Sequence, residues 1–348
     1  MENNKLFSLG DLYVSDFIKD DNSPRGGKEP LSLIMDDAIG APKLSSATDP
    51  DKMYGKYWYR SGINATMTKE LESIVESCLD SINIKPDDLF LDIACNDGTL
   101  LKFVPGSMIR VGVDPVDDTY YKESSQNADL IIQDYFTADV FEKSKFGDKK
   151  AKIITTIAMF YDLDEPLSFL EDVTSVLDDE GLFVLQMSYT PLMLKQLAFD
   201  NICHEHIYYY SLTSIIRLAG QADLKVVDCQ LNDINGGSFR VYLRKNKADP
   251  TGFRTSPYRD VAQYRIESIL RQEESLKITT PQPYLEFYEN ITNLKEETLN
   301  FIKKVTSEGK TVWGYGASTK GNTLLQWFGL DSSLITGIAE RSPYKYGL

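Results

Sequence analysis

Histidine is almost missing from this chain: two occur among 348 residues, His204 and His206, both inside the run NICHEHIYYY. Any metal site would therefore have to draw its remaining ligands from carboxylates or Cys203. Cysteine is nearly as scarce. Cys78, Cys95, Cys203 and Cys229 lie far apart and form no C-x-x-C pair, which encodes neither a disulfide framework nor a zinc knuckle, so reduced thiols are expected. No apolar run approaches the roughly 20 residues of a membrane span. The opening MENNKLFSLGD lacks the basic flank and apolar stretch of a secretory signal. A soluble, cytoplasmic protein without a membrane partner is expected. Positive charge is short as well: 37 Lys and Arg face 52 Asp and Glu, and the net charge of −15 repels a polyphosphate backbone. Nucleic acid is not an expected partner. A small anion remains admissible, because a pocket acts at contact distance while net charge is screened.

The composition that is present, 42% apolar and 26% charged, suits a globular protein with a sizeable core, and the length suits more than one domain. Residues 1–65 hold the breaker-rich stretches SPRGGKEP and GAPKLSSATDPD and read as a small irregular lobe. From residue 66 to 250 helical and strand patterns alternate: MTKELESIVESCLDSI, DDLFLDIACNDG, IRVGVDP, ADLIIQDYF, KIITTIAMFYD, PLSFLEDVTSVL and GLFVLQMSY. That is the pattern of an α/β fold with a wound, Rossmann-like parallel sheet. LKVVDCQL and SFRVYLRK, joined by NDINGG, predict an antiparallel hairpin at its edge. Residues 251–310 read as a charged helical linker region, and residues 311–348 as a partial second Rossmann-like unit, one strand, a helix and a second strand.

In open α/β sheets ligands bind beyond the carboxyl ends of the strands. The first such end, LDIACNDGTLL, carries one glycine, Gly98, where a dinucleotide fingerprint needs three, so it suits a ligand without phosphates. Asp114, ending the second strand, can accept two hydrogen bonds from a ribose diol. Asp134, after the third, can meet an adenine amino group with Tyr135 beside the ring. An adenosine with a phosphate-free tail fits all three ends, and S-adenosylmethionine is that molecule. The cofactor set read here is Asp92, Ala94, Asn96, Gly98, Asp114, Gln133, Asp134 and Tyr135, with Tyr59 from the upstream YWYRSG.

For the two histidines three chemistries compete: a metal site, a hydrogen-bonded core position, and acid/base work. An imidazole titrates near pH ~6.5, and the neighbouring Glu205 can support its cationic form, which favours proton transfer. Tyr57, Tyr209, Asn201, Asn235, Ser238 and Arg240 are the polar groups available to complete such a site. Lys320 and Asn322 lie in the glycine-rich GYGASTKGN, which can hold a diphosphate, although its spacing departs from G-x-G-x-x-G.

Taken together, YWYRSG, NICHEHIYYY, NDINGGSFRVYL and GYGASTKGNTLLQ resemble the S-adenosylmethionine-dependent C-methyltransferases that act on nucleotide-linked 4-keto-6-deoxysugars. The resemblance implies a class I methyltransferase domain and His206 as the base that forms an enolate next to the sugar ketone. It further implies assistance from Glu205 and Tyr57, with no catalytic metal; His204 is counted with them in the catalytic set. Two departures stand out: where such enzymes carry a second cysteine pair in a zinc lobe this chain reads IMDDAIGAPKL, and the second Rossmann-like domain is shortened. Methyl transfer to oxygen or nitrogen of another small molecule, or a non-catalytic cofactor-binding subunit, is the alternative reading. Self-association is left open by the sequence.

Overall fold

The computed structural model describes residues 4–19, 27–48, 60–254 and 259–348. Its elements begin with strands β1 (Lys5–Tyr13), β2 (Lys28–Asp36) and β3 (Ala41–Leu44), then helix α1 (Ala65–Ser81). β4 (Leu89–Ile93), β5 (Ile109–Val113), α2 (Asp118–Ser124), β6 (Leu130–Ile132) and α3 (Ala138–Glu142) follow. Next come β7 (Ala151–Ile157), α4 (Pro166–Val176), β8 (Leu177–Ser188), α5 (Thr190–Gln196), α6 (Leu212–Gln221), β9 (Leu224–Asn232) and β10 (Ser238–Lys245). The chain closes with α7 (Arg259–Ser275), α8 (Gln282–Ser307), β11 (Trp313–Tyr315), α9 (Thr319–Phe328) and β12 (Gly337–Ala339). None of the described helices is long and apolar enough to cross a membrane.

Two compact units interleave along the chain. The first is Tyr57–Tyr189 with Tyr210–Ser275; the second is Met1–Lys56 with Thr190–Tyr209 and Leu276–Leu348. The pattern-based boundaries at residues 65, 250 and 310 run consecutively instead, because composition along a chain does not reveal which distant stretches share a core. The helical region 251–310 is divided accordingly, α7 falling in the first unit and α8 in the second.

The first unit is built on a sheet of order β6-β5-β4-β7-β8-β10-β9. β6, β5, β4, β7 and β8 are mutually parallel, and β10 runs antiparallel to both β8 and β9. This is the class I methyltransferase sheet with its antiparallel edge hairpin, as expected. β4, LFLDI, is buried at every position, as a central strand covered on both faces requires. Helix α1 presents Met67, Leu71, Ile74, Val75 and Cys78 along one face, and its N-terminus is capped by the Asn64 side chain accepting from Thr66 and Met67. With Phe90, Leu101, Ile153, Leu182 and Val184 these residues form one core, each large side chain contributing about 2 kcal/mol by its burial. The chain winds outward through β4, β5 and β6 and then returns to β7 on the other side of β4. That reversal opens a crevice at the carboxyl ends of the strands.

In the second unit the N-terminal stretch is not irregular. β1, β2 and β3 form an antiparallel sheet, with Leu31, Leu33 and Met35 of β2 alternating inward. The alternation in LSLIM was readable; that of β1 was hidden by two register shifts, the second at Gly10, whose φ is +90°. The sheet shares a core with Phe199, Ile202 and Tyr209 of the inserted 190–209 stretch, Tyr284, Phe287 and Ile291 of α8, and Trp327 and Phe328 of α9. Phe199 stacks on Phe328 at 5.2 Å between ring centroids and meets Trp327 edge-on. The parallel pair β11-β12, too small to stand alone, is anchored to this core through α9.

Candidate active site

The first unit supplies a cradle at three adjacent strand ends. Ile93 of β4 pairs with Val113 of β5, and Val113 with Ile132 of β6, so Ala94, Asp114 and Gln133 leave the sheet side by side. The turn after β4 holds Ala94 at φ +62°, Asn96 at φ +51° and Gly98 at φ +74°. Two left-handed residues that are not glycine cost roughly 1–2 kcal/mol each, the sort of strain found at functional turns. At Gly98 only glycine fits, since a Cβ would sit 2.6 Å from Ser124 Cα.

Asp114 is buried, and its carboxylate accepts the Asn96 amide at 2.7 Å on Oδ2 and the Val116 amide at 3.2 Å on Oδ1. Each oxygen retains a lone pair for a further donor. Burial raises this carboxyl to about 6 against the pull of those amides. Asp92, which accepts the Thr155 hydroxyl at 2.7 Å, is raised to about 7 by burial, with the Asp114 charge adding to the rise. Gln133, Asp134 and Tyr135 are exposed at the end of β6, and Gln133 Nε2 donates to the Val116 carbonyl. Backbone geometry, carboxylate acceptors and an exposed polar rim without a phosphate-type glycine nest fit an adenosyl ligand.

Tyr57 and Tyr59 lie outside the described residues. The residues directly after them bind the same turn: the Ser61 amide donates to Asn96 Oδ1 at 3.1 Å and the Gly62 amide to Asp97 Oδ2 at 2.8 Å. Arg60 stacks over the Tyr120 ring at 4.1 Å and pairs with Glu123. Sequence reasoning missed Arg60, Asp97 and Thr99, whose hydroxyl donates to Asp97. The only hint was the Asn-Asp pair at a strand end.

Of the remaining first-unit candidates, Asn235 sits left-handed at φ 54° in the β9–β10 turn, beside a hollow lined by Ala65, Thr66, Lys69, Glu70 and Ile234. The Ser238 hydroxyl donates to the Ile234 carbonyl. Arg240 is buried and donates to Glu70 at 2.7 Å, Gln186 at 2.9 Å and Ser73 at 3.0 Å.

In the second unit the N-I-C-H-E-H run is held on several sides. Ile207 and Tyr209 extend the N-terminal sheet, the Leu44 amide donating to the Ile207 carbonyl and the Tyr209 amide to the Pro42 carbonyl. His204 Nε2–H donates to the Glu29 carbonyl at 3.1 Å, and burial lowers its basicity. The Tyr208 hydroxyl donates to Asp36 and accepts from Lys43. The Tyr209 ring lies in the hydrophobic core.

His206 is 6% exposed, and its Nδ1 lies 2.8 Å from the Asn201 carbonyl. A carbonyl accepts only from N–H, so the proton is on Nδ1 and the basic lone pair on Nε2. Burial, then the nearby Lys320 ammonium, pull its pKa down to about 3, opposed by the Asn201 bond. Glu205 is half-buried and raised by burial, with Lys320 opposing. Lys320, in the first turn of α9, donates to Asn201 Oδ1 at 2.5 Å. Asn322 Nδ2 donates to the Asp16 carbonyl at 3.4 Å. Thus Asn201, Glu205, His206 and Lys320 come together. Cys203, Glu205 and His206 offer ligand atoms within 4.8 Å of one another, a three-group cluster among the described residues that a metal ion can also use.

Two family profiles cover the chain side by side: a methyltransferase domain over residues 63–228 and a C-methyltransferase C-terminal domain over residues 233–348. C-methyltransferase NovU of Streptomyces niveus is 27% identical over 345 residues, which span 98% of this chain and 80% of that protein. This chain is an S-adenosylmethionine-dependent C-methyltransferase. Among solved structures, the methyltransferase shows likeness to an S-adenosylmethionine-dependent methyltransferase from Clostridium acetobutylicum ATCC 824, at 15% identity, TM-score 0.39, over 51% of this chain and 92% of that one. The N-methyltransferase NodS from Bradyrhizobium japonicum WM9 gives 11% identity and TM-score 0.39, over 52% and 97%. The fold of the methyltransferase rests on its strand order and on the family profiles rather than on these two.

Proposed function

We propose that the enzyme methylates the carbon next to the ketone of a nucleotide-linked deoxysugar, with His206 as the base. The observation that carries this reading is the His206 tautomer: with Nδ1–H given to the Asn201 carbonyl, Nε2 is the proton-accepting atom. Burial and the Lys320 charge hold the ring neutral in the physiological range but also make it a weak base, so in this reading its taking a proton depends on the carboxylate of Glu205 beside it. Bound S-adenosylmethionine supplies an electrophilic methyl group on a sulfonium. Nε2 takes the acidic hydrogen from the carbon beside the carbonyl, the electron pair passes into the enolate, and Glu205 supports the imidazolium that results.

In this reading Asp114 holds the ribose hydroxyls, and Asp92, Ala94, Asn96 and Gly98 shape the turn beneath the cofactor. Gln133, Asp134 and Tyr135 border the adenine, joined by Tyr59. Tyr57 and His204 assist at the acceptor. Asn201, Asn235, Ser238 and Arg240 are the substrate candidates, Tyr209 being left out because its ring lies in the hydrophobic core, while Lys320 and Asn322 serve the phosphate end. The test is His206→Ala assayed by methyl transfer to a 4-keto-6-deoxysugar nucleotide, with calorimetry of S-adenosylhomocysteine alongside. Lost turnover with unchanged cofactor affinity supports the assignment; normal turnover ends it.

A further inference from the structure

Glu273 lies in α7, fully buried at 0% exposure, and takes no part in the chemistry described so far. Its carboxylate accepts four hydrogen bonds. Oε1 receives the Tyr189 hydroxyl at 2.8 Å and the Leu212 amide at 2.7 Å; Oε2 receives the Thr213 amide at 2.8 Å and the Thr213 hydroxyl at 2.6 Å. Leu212 and Thr213 are the first two residues of α6, and the amide of the third, Ser214, is taken by the Ser211 side chain. A buried carboxylate and a serine thus satisfy three of the four amides that a helix leaves open at its start, in the orientation the helix dipole favours.

The sequence position of these partners is the informative part. The chain leaves the first unit after Tyr189, returns at Tyr210, and leaves again after Ser275. Tyr189 is the last residue before the inserted 190–209 stretch, Leu212 and Thr213 stand just after it, and Glu273 stands two residues before the next departure. One carboxylate therefore binds both stems of the stretch that carries Asn201, Glu205 and His206. An ordinary helix cap needs no tyrosine from just past the end of β8, 84 residues before the capping glutamate, and this one receives it. We infer that Glu273 is a positioning residue, a clamp that fixes both ends of the base-bearing segment. Its catalytic consequence rests on the role proposed for His206; the clamp itself does not.

Substituting Glu273→Gln keeps size and shape but replaces one acceptor oxygen by an NH2 group, which must face an amide or hydroxyl donor. Tyr189→Phe and Thr213→Val each remove one hydroxyl donor and leave the carboxylate, so they test the clamp should E273Q fold poorly. The experiment measures three things on the full chain: backbone hydrogen exchange by peptide, S-adenosylhomocysteine affinity, and kcat and KM for methyl transfer. The clamp predicts exchange at least tenfold faster in peptides from 190–213, with β4 to β7 unchanged and S-adenosylhomocysteine affinity within twofold. It predicts a tenfold or greater fall in kcat for E273Q, smaller falls for the single-hydroxyl variants, and little change in KM. Exchange that stays at the wild-type rate in 190–213, or that rises equally throughout the sheet, overturns the clamp. Faster exchange confined to 190–213 with kcat unaltered preserves the clamp and instead counts against the role given to His206.

Discussion

The Nδ1–H of His206 points at the Asn201 carbonyl 2.8 Å away, and the Asn201 side-chain oxygen in turn accepts from Lys320. Two atoms of one asparagine therefore set both the tautomer of the imidazole and the position of the nearest cation.

His206→Ala is expected to lower kcat about 10³-fold, the usual size of a general-base contribution, with S-adenosylhomocysteine affinity within twofold. His206→Gln cannot restore the rate, because an amide has no basic nitrogen. Steady-state kinetics with parallel calorimetry measure both quantities.

Acid stability carries a second signature. His206 has its pKa lowered from 6.5 to about 3 in the fold, so below about pH 6.5 the unfolded chain takes up a proton that the native ring refuses. Stability from this group is present above pH 6.5 and is lost as pH falls toward 3; His204 is lowered too and shares the sign. Asp92 and Asp114, raised to about 7 and about 6, act oppositely and favour the fold as they protonate. His206→Asn should therefore lose less Tm between pH 7 and pH 4.5 than the wild type does, as read by thermal melts.

Cofactor affinity should respond to Asp114. As pH falls through about 6 its carboxylate protonates and ceases to be a two-sided acceptor. The S-adenosylhomocysteine Kd is expected to rise about tenfold between pH 7.5 and pH 5, following a one-proton titration. Asp114→Asn should bind about tenfold more weakly at pH 7.5 and show a flat profile, since losing one charged hydrogen bond costs on the order of 1.5–3 kcal/mol. Calorimetry across this range decides.

The cluster of Cys203, Glu205 and His206 sits next to the Lys320 ammonium, whose charge opposes a divalent cation. Turnover should be unchanged after exhaustive chelation, and Cys203→Ala should retain most of the activity. Loss of activity on chelation with recovery on adding zinc would assign the cluster to a metal.

The sheet and its strand ends were legible because alternating strand and helix patterns fix which residues follow each strand: Gly98 stands in the turn after β4, Asp114 directly after β5 and Asp134 just beyond β6, at the strand ends where the reading placed them. The docking of Ser61 and Gly62 onto Asn96 and Asp97 was not legible, since it depends on side-chain acceptors 35 residues further along. Two bulges concealed β1 and with it the N-terminal sheet. Both histidines were conspicuous by rarity, yet the burial of His206 and the Lys320 charge beside it arise only from folding. Arg240 stood out as a polar candidate in N-G-G-S-F-R, while its partner Glu70 lies 170 residues earlier. The clamp at Glu273 had no local signal: a single glutamate in a charged helix looks like any solvated one.

Proton abstraction by His206 Nε2 is tested most directly by isotope exchange without methyl transfer. The enzyme, saturated with S-adenosylhomocysteine, is incubated with a 4-keto-6-deoxysugar nucleotide in deuterium oxide, and the carbon next to the ketone is followed by NMR. Wild-type enzyme should wash deuterium into that position, and His206→Ala should not exceed the rate without enzyme. Exchange by His206→Ala at the wild-type rate would contradict the account.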